Sequence, residues 1–162
     1  MSEITIQQYE VLYQEQVLDL ILSIQQQEFG VAITKEDQPD LAKIEEVYQQ
    51  GSGNFWVAVH EGKVVGTISL VNIRNDEVAL KKMFVDSEFR GAPHRTGQHL
   101  LNTALEWAKQ HGTATIFLGT TPQFKAAHRF YEKNGFEQIA ENELPGAFPL
   151  VAVDKLFYRM QL

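Results

Sequence analysis

The spacing of apolar residues changes period several times along the chain, and each change marks an element. Ile4 to Tyr9 alternates apolar and polar, as a half-buried strand does. From Val11 the apolar positions move to Val17, Leu20, Ile21 and Ile24, one stripe of an amphipathic helix that Gly30 ends. A second helix is predicted from Pro39 to Gln49, with Pro39 in its first turn and Leu41, Ile44, Val47 and Tyr48 facing inward. Phe55 to Val59, Val64 to Leu70 and Val78 to Val85 read as three consecutive antiparallel strands, turned at Glu61-Gly62 and Asn75-Asp76. A loop, Asp86 to Thr96, leads into a helix from Gly97 to Gln110 with Leu100, Leu101, Ala104, Leu105 and Ala108 as its stripe. Thr115 to Leu118 is a short strand, and Lys125 to Asn134 a helix stopped by Asn134-Gly135. Phe136 to Ile139 and Leu156 to Met160 are the last strands, separated by the Pro/Gly-containing segment Glu143 to Ala152. No repeat or linker interrupts the series, so residues 1–162 read as one domain.

Composition narrows the function classes. Hydrophobic content of 44% and charged content of 22% are those of a globular protein. The formal charge is −7 with no dense Lys/Arg block, which argues against nucleic acid as a partner and mildly favours a cationic substrate such as an amine. The chain contains no cysteine, which excludes disulfides, thiolate zinc sites and a cysteine nucleophile. The polar stretch Met1 to Glu10 and the shortness of the apolar runs point to a cytoplasmic protein without a membrane partner. His94, His99 and His111 lack metal-ligand spacing with an acidic partner, so no metal site is expected.

The stretch from Val85 to Leu101 carries the most chemistry. A loop of small and basic residues running into a helix start presents backbone N–H groups and the positive end of a dipole, an arrangement suited to a diphosphate. Arg90, His94 and Arg95 add charge, and Gly91 and Gly97 permit close approach. By residue type alone, an ordinary surface loop joining strand to helix explains the stretch better.

A resemblance shifts that balance. Leu80-Lys-Lys-Met-Phe-Val85, then Phe89-Arg90-Gly91, then Gly97-Gln-His-Leu-Leu101 resembles the central motif of the GNAT acetyltransferases. There a strand ending in hydrophobic-x-Val leads to a loop of the type (Arg/Gln)-x-x-Gly-x-(Gly/Ala) and a helix containing Leu-Leu. Ala127-His-Arg-Phe-Tyr131-Glu-Lys-Asn-Gly135-Phe136 is similar to the family's second signature, Ala-x-x-x-Tyr-x-x-x-Gly-Phe. The resemblance covers essentially the whole chain. It implies an α+β fold, the GNAT acyl-CoA N-acyltransferase fold, with a mostly antiparallel twisted sheet of about seven strands flanked by about four helices. Two positions depart from the pattern. The loop carries about two extra residues between Gly91 and Gly97, with Arg95 where a Gly is usual. Phe124 stands where an Asn with a polar contact near the pantetheine often precedes the second signature.

The resemblance implies acetyl-CoA as cofactor, with CoA as product and no metal, and direct acetyl transfer to a primary amine of a small molecule. Met83, Phe84 and Val85 correspond to the strand end whose main chain pairs with the pantetheine, the N–H of Phe84 or Val85 being a candidate to polarise the thioester carbonyl. Arg90, Gly91, His94, Arg95, Thr96, Gly97 and Gln98 correspond to the diphosphate loop, and Phe124 lies beside the cofactor. Tyr131 matches the tyrosine that donates a proton to the departing thiolate, against the alternative of a ring packed on the core. For the base, Glu28 at the end of the first helix is a tentative candidate or an acceptor contact, or simply a solvated helix-end residue. His128, a water, or an amine arriving neutral are the other options. Glu36, Asp37 and Asp40 either attract a cation or favour the helix dipole near Pro39. Leu144 to Pro149 either lines the acceptor pocket or is a connection pinned by Phe148. A different class, a catalytically silent acyl-CoA-binding sensor or interaction module, fits the same motifs. Monomer and homodimer are equally compatible with the sequence.

Overall fold

The computed structural model describes residues 3–74 and 76–162. One seven-stranded sheet organises these residues. Its strands are β1 (Thr5–Gln8), β2 (Asn54–His60), β3 (Lys63–Arg74), β4 (Glu77–Val85), β5 (Thr115–Thr120), β6 (Glu137–Ile139) and β7 (Leu156–Gln161). They lie in the order β1-β2-β3-β4-β5-β7-β6. All neighbours are antiparallel except β4 and β5. That parallel pair requires a crossover, supplied by α3 (Thr96–Gln110). Of the expected turns, Glu61 and Gly62 both adopt positive φ between β2 and β3, while Asn75 lies outside the described residues.

The stripe read from α3 is its buried face: Leu100, Leu101, Ala104 and Ala108 are fully buried against β2, β3 and β4. Full burial of each of those leucines stabilises the fold by about 1.5–3 kcal/mol. Gly66 makes the crossing possible, since a Cβ there would stand 2.9 Å from Leu100 Cδ1. α4 (Lys125–Lys133) ends at Asn134, followed by Gly135 at φ 97°, and buries Tyr131.

The N-terminal helices differ from the sequence expectation. The first is composite: a 3-10 turn (Val11–Tyr13), α1 (Gln14–Leu22) and a π-helical segment (Ser23–Glu28), closed by Gly30 at φ 61°. The wider π turn brings the consecutive residues Ile24 and Gln25 both to buried positions. The expected helix from Pro39 to Gln49 is two short pieces, a 3-10 turn (Pro39–Ala42) and α2 (Ile44–Val47), because Lys43 leaves helical geometry at φ −146°, ψ 53°. The break still buries Leu41, Ile44 and Tyr48, and the Tyr48 hydroxyl donates a short hydrogen bond to the Asp40 carboxylate across it.

Candidate active site

β4 and β5 pair over only three positions, Glu77↔Thr115, Val78↔Ile116 and Ala79↔Phe117, and then part. Beyond that point β4 stays with β3 while β5 stays with β7. The wedge between them is a cavity of about 660 Å³. Its walls are residues 80–85 of β4, Gly119 to Thr121 at the end of β5, α4 through Tyr131, the loop and helix start from Arg90 to Gln98, the π segment with Ile33, and Val151, Val153 and Asp154 of the last loop.

β4 is bulged where it lines this space. Its register with β3 slips between Thr67 and Ser69, and Lys82 sits in the left-handed region at φ 55°. The Thr67 and Ser69 hydroxyls donate to the Lys82 and Lys81 carbonyls at 2.6 and 2.7 Å, satisfying acceptors that an unbroken ladder would have paired. A regular strand sends neighbouring side chains to opposite faces; the bulge lets Lys81 and Lys82 both line the cavity. Lys82 Nζ donates to Gln38 Oε1 at 2.6 Å and lies 3.6 Å from Asp40 Oδ2. Lys81 Nζ donates to the Pro149 carbonyl at 3.1 Å. Burial lowers both pKa values, and for Lys81 the charge of Lys82 lowers it further. Asp154 accepts from the Thr121 hydroxyl at 3.2 Å, and burial raises its carboxyl above the ordinary value against the opposing pull of Lys81.

The expected phosphate loop leads onto the helix start at one end of the cavity. Gly91 and Arg95 are both left-handed, at φ 64° and 49°, and Arg95 N–H donates to the Gly91 carbonyl at 2.7 Å. The first bond of α3 runs from His99 N–H to Arg95 O, so the amides of Thr96, Gly97 and Gln98 precede the helical ladder. Gly97 faces β4 closely, with Met83 Cε 3.4 Å from where its Cβ would be. Met83, Phe84, Val85, Arg90, Gly91, Arg95, Gly97, Gln98, Phe124 and Tyr131 all line the cavity. His94 and Thr96 do not: His94 packs on Phe89, with ring centroids 5.0 Å apart, and Thr96 is fully buried.

Glu28 does not line the cavity either. Its carboxylate holds Arg90 in a two-pronged ion pair at 2.5 and 2.7 Å, while Arg90 Nε donates to the Val85 carbonyl at 2.8 Å. The same guanidinium lies 5.7 Å from the Phe29 ring, which meets Phe124 edge-on, and Phe124 meets Phe84. His128 turns Nε2 to the Thr121 carbonyl, 3.1 Å away. Tyr131 is buried among Phe130, Phe136 and Tyr158, and burial, with Asp154 nearby, raises its phenol pKa.

The sheet order, the wedge and the two motifs flanking it agree with a sequence match: the profile of the Acetyltransferase (GNAT) family covers residues 18–136. The chain belongs to the GNAT family. Among solved GNAT structures, an acetyltransferase from Staphylococcus aureus is 40% identical, with a TM-score of 0.94 and 98% of each chain covered. An acetyltransferase from Streptococcus agalactiae is 34% identical, with a TM-score of 0.93 and 98% of each chain covered. The N-acetylaspartate synthetase of Danio rerio is 36% identical over 127 residues, 75% of this chain and 44% of the relative. This GNAT chain thus spans less than half the length of the N-acetylaspartate synthetases it matches.

The residues missed from the sequence are Lys81, Lys82, Asp154 and Thr121. The lysines stood inside a recognised motif, but a regular strand would have divided them between two faces. Asp154 lies far along the chain, in a loop whose Phe148 is buried as a core anchor while Val151 and Val153 line the cavity.

Proposed function

We propose that this GNAT protein transfers the acetyl group of acetyl-CoA directly to a primary amine of a small molecule bound in the wedge. The observation that carries the reading is the parting of β4 and β5, which gives one cavity reaching the helix start, the bulged strand and Tyr131. The left-handed turns at Gly91 and Arg95 and the first amides of α3 suit a diphosphate, with the Arg95 side chain adding charge. The cleft-facing edge of β4 from Met83 to Val85 offers main-chain groups for an amide-bearing arm. Acetyl-CoA supplies an activated acyl group and a thiol leaving group, and the protein's part is to hold, orient and move protons. The Tyr131 phenol, whose pKa burial raises further above the ordinary phenol value, is protonated at neutral pH and so can act as a donor. Its raised pKa makes it a weaker acid, so it donates only to a group as basic as a desolvated thiolate. The name of the vertebrate relatives, N-acetylaspartate synthetase, accords with a small amine as acceptor.

Thermal melting with acetyl-CoA, CoA and ATP tests the cofactor. Saturation at about a hundred times Kd stabilises the protein by about 2.7 kcal/mol, so both CoA forms should raise Tm and ATP should not. Tyr131→Phe should keep that shift and lose turnover by about a hundredfold or more, the scale of a lost general acid. A missing shift with folded protein rejects the cofactor assignment, and undiminished turnover in the variant rejects Tyr131 as the acid.

A further inference from the structure

Two adjacent lysines are turned into the same cavity of a protein whose net charge is −7. Their placement costs stability twice, through desolvation and mutual repulsion, and it is produced by a backbone conformation that a lysine rarely adopts. Such an arrangement persists where the strained segment has a task. The cations are held by neutral oxygens as much as by carboxylates: Gln38 for Lys82, and the Pro149 carbonyl for Lys81. Asp40 is shared between Lys82 and the Tyr48 hydroxyl, and Gln38 is itself fixed by a reciprocal pair of hydrogen bonds to buried Gln25, at 2.8 and 3.1 Å. The fourth charged group of the cluster is Asp154.

Resting on the acetyltransferase reading above, we infer that the acceptor is an amino acid, its carboxylate received by Lys81 and Lys82 and its amino group by Asp154. Coulomb attraction in a partly desolvated site orients such a zwitterion, whereas a polyamine would bring its charges against two lysines. The chemistry balances with these groups. The bound ammonium gives one proton to Asp154, which passes it to solvent. The nitrogen lone pair then forms the C–N bond to the thioester carbonyl carbon. The C–S bond breaks with its electron pair on sulfur, Tyr131 protonates that sulfur, and the second proton leaving nitrogen restores the phenol. The products are the N-acetylated amino acid, free CoA and one proton.

The experiment is a rate measurement of CoA thiol release with wild-type protein and acetyl-CoA across three acceptor sets: the common amino acids including aspartate and glutamate, the same compounds with every carboxyl converted to an amide, and spermidine. Turnover confined to acceptors that keep a carboxylate supports the inference. Lys81→Met and Lys82→Met should each raise the acceptor KM about tenfold or more, the scale of one hydrogen bond to a charged group. Both should leave the acetyl-CoA melting shift in place. Amides or spermidine turning over as well as the amino acids overturns the inference, as does turnover of none of the amino acids by protein whose Tm acetyl-CoA raises. If acetyl-CoA produces no melting shift at all, the cofactor reading falls first and this inference with it.

Discussion

Asp154 combines two demands that pull in opposite directions. Burial raises its pKa above 3.8, against Lys81, the Thr121 hydroxyl, Lys82 and Lys155, which favour the charged form. A group whose folded pKa is raised stabilises the fold fully below its unfolded pKa and loses that contribution as pH rises through the folded value. At neutral pH the carboxylate is therefore held at a cost, and the same shift brings its proton affinity closer to what a base needs. Asp154→Asn, uncharged throughout, should melt at or above the wild-type temperature at pH 7, soften the decline of stability with rising pH, and transfer acetyl more slowly. Melting curves from pH 4 to 8 beside initial rates check this; a clear drop in Tm at pH 7 would mean that the attraction of Lys81 outweighs burial. Glu28 shows the opposite case. Its position on the helix stripe made it a candidate base, but the structure places its carboxylate on Arg90 outside the cavity lining.

At the scale of elements, the bulge in β4 decides the chemistry of the cleft, and it is held from behind by β3. Thr67 is fully buried, and its hydroxyl supplies the bond to the Lys82 carbonyl. Thr67→Val keeps the shape and removes the donor, leaving the part-buried Lys82 carbonyl without this bond at a cost of about 0.5–1.5 kcal/mol. The expected result is a lower Tm together with a raised acceptor KM, because the two lysines lose their aim; a lower Tm with unaltered KM would separate the bulge from acceptor binding. This element also marks where sequence reading stopped. The stripe on α3, the Asn134-Gly135 stop after α4 and the run of strands were legible because each rests on local periodicity or a local cap. The β4 bulge depends on hydroxyls in another strand, the π segment on packing of Ile24 and Gln25, and the break at Lys43 on burial of Leu41 and Ile44 to either side of it. None of these leaves a periodic trace. The proposed cofactor side was therefore readable from motifs, and the proposed acceptor side, drawn from β4, the turn at Gln38 and the loop at Asp154, was not.

For the whole molecule, the sheet is continuous at one end of the β4–β5 junction and open at the other, so its two halves are joined there by three residue pairs and by α3. A ligand filling the wedge ties the halves together. Hydrogen exchange should accordingly slow most on acetyl-CoA binding at Met83 to Val85 and at the first turn of α3, beyond the slowing that global stabilisation gives to amides opened only by whole-chain unfolding. Slowing at those residues no greater than in the rest of the chain would count against them as cofactor contacts. The open junction has another consequence. Each of β4 and β5 presents an unzipped backbone margin, the feature through which sheet proteins stick to one another. Here both margins border the cavity that α4 and the last loop also line. At this junction the unpaired margins line a cavity, whereas the edges the sheet turns outward are the short strands β1 and β6.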